Sequence, residues 1–253
     1  MTTVVSGKNV LVTGAASGIG KACVMYLLAG GNRVLAMDLD GDRLAATFPR
    51  HDTNQLAFCA GDVSQTCACF GAVEAAYKHL GKVDALMHWA GKHSIKAWDE
   101  LKAEDLADQF AINVTGSFIM AQAAALRMKD DGGGSIVLTG STSFIHAPIG
   151  GKAGNGGPAY VAAKAAIIGM VRTLARALGP HNIRVNGISP GVTDTPMIGN
   201  YSAESRQAQI NASPLGRIGS ATEIAEAGCL LISDASRYIS GEMIIVNGAT
   251  SFG

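Results

Sequence analysis

The sequence predicts an α/β fold: a doubly wound, seven-stranded parallel sheet with helices on both faces. Three observations predict it. Short β-branched runs alternate with longer alanine-rich amphipathic stretches along the whole chain, as strands joined by crossover helices do. The strand candidates are near-continuously apolar, which a sheet covered on both faces requires. With 253 residues, 48% of them hydrophobic, the chain can fill one large core. No Pro/Ser linker, repeat or charge block divides it, so residues 1–253 read as one domain.

The first strand candidate is "NVLVT" (9–13) and the second "RVLAMD" (33–38), followed by "QLAFCAG" (55–61) and "VDALMHWAG" (83–91). The fifth is "SIVLTG" (135–140), the sixth "IRVNGIS" (183–189) and the seventh "EMIIVNG" (242–248). The longest irregular stretches follow the fifth strand (141–157) and the sixth (189–200). Ligands of such sheets bind beyond the carboxyl ends of the strands, so these two loops are expected to line the pocket.

Composition narrows the functional classes. Twenty acidic residues balance twenty basic ones, which leaves no net field to attract nucleic acid or an anionic membrane. The five cysteines are odd in number and form no C-x-x-C pair. Cys67 and Cys69 lack further ligands at zinc-site spacing, so no metal is expected. The N-terminus has no secretory pattern and no apolar run reaches spanning length, which gives the expectation of a cytoplasmic chain acting on a small molecule.

The turn "VTGAASGIG" sets Gly14, Ser17, Gly18, Ile19 and Gly20 between a strand and a helix that begins near Gly18. Glycines permit the tight turn and let backbone approach a pyrophosphate, and the helix N-terminus offers it free N–H groups. Asp38 ends the second strand, near the acidic position expected roughly 20 residues beyond such a loop. Its carboxylate suits ribose hydroxyls and repels a 2′-phosphate, so the expected cofactor is NAD, with NADP the alternative. Asp62, beside Val63, either holds an adenine amino group or caps a helix starting near Ser64.

"GGKAGNGGPAYVAAK" (150–164) contains five glycines in its first eight positions. Pro158 then starts a helix, which places Tyr160 and Lys164 one turn apart on one face. The lysine and the helix N-terminus are expected to lower the phenol pKa from about 10. A tyrosine so placed exchanges a proton with a substrate hydroxyl.

Thr13-Gly14-x-x-x-Gly18-Ile19-Gly20 and Tyr160-x-x-x-Lys164, in this order, resemble the short-chain dehydrogenase/reductase family in its short single-domain branch. The resemblance runs from Gly7 to Gly248 and implies a Rossmann-like fold. "GSIVLTGS" is similar to the family's fifth strand, with Ser141 at the catalytic serine, and "FAINVTGSF" places Asn113 at the helix asparagine. "IRVNGISPGVTDTP" resembles the segment after the catalytic helix. The implied roles follow: Ser141 binds the substrate oxygen, Tyr160 transfers the proton, Lys164 holds the nicotinamide ribose, and Asn113 holds a water. Ala90, Gly91, Pro190, Gly191, Thr193 and Thr195 complete the cofactor site. The resemblance implies an NAD-dependent dehydrogenase or reductase for a small to medium secondary alcohol or ketone, assembled as a homotetramer. An NADP-dependent carbonyl reductase and a dinucleotide-binding sensor or scaffold without turnover are the alternatives.

The sequence departs from the family in two places. "HWAG" (88–91) stands where two asparagines usually precede Ala-Gly, and His88 reads as a hydrogen-bonded structural histidine or a second acid/base group. The Ser141–Tyr160 spacing is long by several residues, and the extra glycine-rich loop is expected to be slack without ligand and to close over the pocket. His93, Trp98, His146 and Met197 are candidates for the pocket wall. No Lys/Arg cluster lies on these loops, which disfavours a phosphorylated or acyl-CoA substrate.

Overall fold

A computed structural model of the chain describes residues 4–151 and 156–253. Seven parallel strands form one sheet in the order β3-β2-β1-β4-β5-β6-β9. These are β1 (Asn9–Thr13), β2 (Arg33–Asp38), β3 (Leu56–Ala60), β4 (Ala85–His88), β5 (Gly134–Thr139), β6 (Ile183–Pro190) and β9 (Met243–Val246). Each lies within two or three residues of its sequence expectation. The order reverses between β1 and β4, which pair in parallel with Thr13 opposite His88. A crevice opens at such a reversal, beyond the carboxyl ends of the strands.

The α-helices of the described residues are α1 (Gly18–Ala29), α2 (Gly41–Thr47), α3 (Thr66–Leu80), α4 (Ala103–Phe110), α5 (Gly116–Met128), α6 (Ser143–His146), α7 (Pro158–Leu178), α8 (Ala203–Ala212) and α9 (Ala221–Ile232). The alternation of each strand divides its side chains between two cores. Leu11, Leu86 and Leu138 pack toward α3, α5 and α7, whereas Val12, Met87 and Val137 pack toward α1 and α9. Pro158 occupies the first turn of α7 behind an extended Gly157, where its missing N–H costs nothing.

Two features lie below the resolution of sequence patterning. A two-residue strand β7 (Thr193–Asp194) pairs with an equally short β8 (Gly219–Ser220), clasping the loop after β6. Residues Ala111–Thr115 form a π-helical turn between α4 and α5, an arrangement found frequently at functional sites. Among the described residues, no helix is long and apolar enough to cross a membrane.

Candidate active site

A cavity of about 880 Å³ opens at the reversal between β1 and β4. Its floor is the glycine turn after β1. Gly14 and Gly18 adopt φ of +66° and +50°, a region that side chains disfavour. Close approach explains Gly20: a Cβ there would lie 2.0 Å from the Gly14 carbonyl oxygen. Ser17 is the N-cap of α1, yet its side chain makes no capping bond, so the first N–H groups of α1 remain available to an anion. Ser17, Gly18 and Ile19 all line the cavity.

Asp38 sits at the end of β2 on the cavity wall, with Oδ2 accepting from the Ala16 N–H at 2.9 Å. That bond orients the carboxylate and leaves Oδ1 for a ligand. Asp62 and Val63 line the same wall. Asp62 Oδ1 accepts from the Ser64 N–H at 2.8 Å within a turn; it does not cap α3, which begins at Thr66 with Gln65 at its N-cap.

Ala90 and Gly91 pass over the end of the sheet, where backbone comes close: a Cβ on Gly91 would stand 2.9 Å from Asn113 Oδ1 and 3.2 Å from Lys164 Nζ. Pro190 and Gly191 follow β6, and Gly191 packs against Asn247, which a Cβ would meet at 2.7 Å. Thr193 lies in β7, and Thr195 packs on Gly18, 3.2 Å from where a Cβ would be. The residue set expected for the cofactor therefore surrounds one crevice. Its glycine cradle, uncapped helix terminus and the Asp38 carboxylate on its wall fit a dinucleotide.

Tyr160 and Lys164, on α7, are both buried, and Ser141 stands just beyond β5. The Ser141 side chain lies near enough to the Tyr160 phenol to act on its pKa, and its hydroxyl accepts from the Ser143 N–H at 3.1 Å. Lys164 Nζ donates to the Thr139 carbonyl oxygen at 2.9 Å and lies 6.0 Å from the Tyr160 ring centroid. Burial lowers the Lys164 pKa to about 8. The expected lowering of the phenol pKa is not found: burial raises it, and Ser141 opposes that only in part. The reason is the burial of the phenol, which disfavours its charged form more than its neighbours favour it.

Asn113 does not line the cavity; it lies wholly buried behind it, in the π turn. Its Nδ2 donates to the Lys92 carbonyl at 2.9 Å and to the Gln109 carbonyl at 3.1 Å, and its Oδ1 accepts from the Lys92 N–H at 3.2 Å. The side chain is thus committed to fastening residue 92 to the helix. The Asn113 carbonyl oxygen accepts from the Ser117 hydroxyl at 2.7 Å.

His88 is structural in its contacts. Ala90 N–H donates to Thr13 Oγ1 at 3.2 Å, and the same hydroxyl hydrogen-bonds His88 Nδ1 at 2.9 Å. Burial, then the charge on Lys164, lowers the His88 pKa to about 3. Trp89 is matched by Gly228 of α9, where a Cβ would lie 2.8 Å from indole Cζ2 and Cη2.

His93, His146 and Met197 line the outer cavity, and Trp98 does not; it is 79% exposed. The four residues 152–155 of the glycine-rich loop lie outside the described residues, but its flanks are tied down. Gly157 N–H donates to Ser94 O at 2.7 Å, and Gly151 N–H donates to Ile95 O. A Cβ on Gly157 would fall 2.0 Å from Lys96 O, and one on Gly150 would fall 2.5 Å from Ile95 O. These glycines serve close backbone packing. Sequence reasoning placed Thr13 in the glycine motif but missed its hydrogen bonds to His88 and Ala90, and it missed the Thr139 carbonyl as the partner of Lys164.

Residues 14–250 match the family model described as Enoyl-(Acyl carrier protein) reductase. The chain is 32% identical over 245 residues to 3-oxoacyl-[acyl-carrier-protein] reductase FabG of Thermotoga maritima, covering 96% of this chain and 97% of that one. Among solved structures it matches a short-chain dehydrogenase/reductase of Brucella melitensis titled glucose/ribitol dehydrogenase, with a TM-score of 0.92, 30% identity and full coverage, 100%, of both chains. A 7α-hydroxysteroid dehydrogenase complexed with NADH and 7-oxo glycochenodeoxycholic acid matches with a TM-score of 0.88 and 29% identity, over 96% of this chain and 94% of that one. The fold, the glycine cradle and these likenesses agree: the chain belongs to the short-chain dehydrogenase/reductase family, oxidoreductases that bind a nicotinamide dinucleotide.

Proposed function

We propose that the chain works as one domain that interconverts an uncharged secondary alcohol and its ketone, with NAD(H) as cofactor and Tyr160 as the proton-transferring group. The observation that carries this reading is the placing of the buried Tyr160 phenol, Lys164 and Ser141 in the same cavity as the glycine cradle. When bound, the dinucleotide supplies or accepts the hydride.

The chain's own residues account for the rest. In reduction, Ser141 donates a hydrogen bond to the ketone oxygen, and the Tyr160 phenol delivers its proton there as charge builds. The raised Tyr160 pKa keeps that proton in place at neutral pH. Lys164 lies within reach of ribose hydroxyls across Gly91 and is steadied by Thr139. Asn113 acts through Lys92, fixing the strand-end turn on which the ribose would rest.

Asp38 supports NAD over NADP, because its oriented carboxylate repels a 2′-phosphate and Leu39, not a cation, follows it on the wall. The uncharged substrate follows from the cavity's cations. Among the described lining residues these are Lys92, Lys164 and Arg217, and each is engaged: by Asp108 at 2.7 Å, Thr139 O at 2.9 Å and Glu223 at 2.6 Å. A screen of neutral ketones and secondary alcohols, with NAD(H) and NADP(H) followed at the nicotinamide absorbance, tests the proposal. Cofactor binding without turnover of any neutral compound would instead favour the sensor reading.

A further inference from the structure

His93 is a polar side chain on the cavity wall that the proposed chemistry leaves unused. It packs edge-on against the Tyr160 ring, with centroids 4.8 Å apart and planes at 83°. Among the described residues its ring nitrogens have no hydrogen-bond partner, and the ring is only half-buried on the cavity wall. A partly desolvated imidazole with neither nitrogen bonded is costly unless a ligand or water meets it.

The surroundings hold His93 in this place. Residues 94 and 95 are tied to Gly157 and Gly151 by backbone hydrogen bonds, and the preceding Lys92 is fastened at both its N–H and its carbonyl by Asn113. Gly156 keeps the space between the two rings open: a Cβ there would stand 2.5 Å from Tyr160 Cδ1 and 3.5 Å from His93 Nε2. Burial and the charge of Lys164 both lower the His93 pKa, so at neutral pH the ring offers one donor and one acceptor.

Resting on the oxidoreductase reading above, we propose that His93 hydrogen-bonds a second oxygen of the substrate, carried close to the reacting carbonyl because the imidazole packs against the ring of the proton-transferring Tyr160. The substrate class is then an uncharged α-hydroxyketone or β-keto ester type of compound, or the corresponding alcohol. His93 is a specificity-determining residue: it distinguishes such a compound from a plain ketone of equal size.

The test compares two matched pairs, acetoin against methyl isopropyl ketone and ethyl acetoacetate against methyl pentyl ketone, in the wild type, His93→Phe and His93→Gln. Phenylalanine keeps the aromatic edge against Tyr160 and removes both nitrogens; glutamine restores a donor and an acceptor. Comparing the kcat/KM ratio within a pair between proteins cancels the intrinsic reactivity of each ketone. The proposal expects His93→Phe to lower the oxygenated-to-plain ratio by about tenfold or more in at least one pair, since a site built to bond an oxygen discriminates strongly against its absence, and His93→Gln to recover part of it. Turnover with the same ratio in all three proteins would overturn the proposal and leave the oxidoreductase reading intact. Failure of the wild type on all four ketones, with NADH and with NADPH, would overturn both.

Discussion

The Lys164 ammonium and the Thr139 carbonyl, 2.9 Å apart, join the second turn of α7 to the last residue of β5. The same ammonium is buried, and that lowers its pKa to about 8. Below that value it is charged and able to hold ribose hydroxyls; as pH rises through it, the charge is lost. NADH affinity, followed by energy transfer from Trp89 on the cavity wall, is therefore expected to weaken above about pH 8. Lys164→Met is expected to bind NADH about tenfold more weakly and to flatten this dependence. A flat wild-type profile, matched by the variant, would exclude the role.

Asp38 sets the cofactor expectation. Replacing Asp38 by Ser together with Leu39 by Arg removes a repulsion and adds an attraction for a 2′-phosphate. The ratio of kcat/KM for NADP(H) over NAD(H) is expected to rise by about two orders of magnitude, since like charges in contact cost several kcal/mol. A wild type that already prefers NADPH would show that Asp38 does not select the cofactor.

Gly20 and Gly169 make a controlled pair. A Cβ at Gly20 meets Gly14 backbone at 2.0 Å, whereas one at Gly169 meets nothing within 4 Å. Gly20→Ala is expected to cost about 1–3 kcal/mol through overpacking and to abolish tight NADH binding. Gly169→Ala, within α7, is expected to stabilise by up to about 1 kcal/mol. Thermal melts and NADH titrations of both proteins check this, and equal behaviour of the two would contradict the close-approach argument.

His88 makes the fold acid-sensitive. Its pKa falls from 6.5 in the unfolded chain to about 3 in the folded one, so only the unfolded chain takes up this proton between those values. Stability linked to this residue is present above pH 6.5 and is lost as pH falls toward 3. His88→Asn has nothing to protonate there. Its acid-unfolding midpoint is expected at lower pH than that of the wild type, measured by circular dichroism; a midpoint unchanged or higher would show that His88 is not the sensitive group.

Much of this was legible in the sequence because a few residue types have narrow physical uses. Continuous apolar runs marked the strands, and the spacing of Gly14, Gly18 and Gly20 marked the cradle. Pro158 marked the start of α7. Residues 150–157 were harder, because glycine serves both conformational freedom and close approach, and a sequence does not say which. At Gly150, Gly156 and Gly157 neighbouring atoms leave no room for a Cβ, so the loop's flanks are packed rather than slack. The raised Tyr160 pKa was hidden for a similar reason: the i, i+4 spacing to Lys164 is visible, but the burial that opposes it comes from the packing of other elements. The match of Trp89, Gly228, lies on a helix far along the chain, where no local pattern reveals it.

The central claim is that Tyr160 transfers the proton, and Tyr160→Phe tests it most directly. The substitution keeps the ring that packs against His93 and removes the hydroxyl that Ser141 contacts. Steady-state turnover of a neutral ketone identified by the screen, measured beside NADH affinity on the same preparations, separates chemistry from binding. The account predicts a loss of kcat of at least about 100-fold, the usual contribution of a general acid, with NADH affinity within about threefold of wild type. Retention of more than about a tenth of wild-type turnover would contradict it.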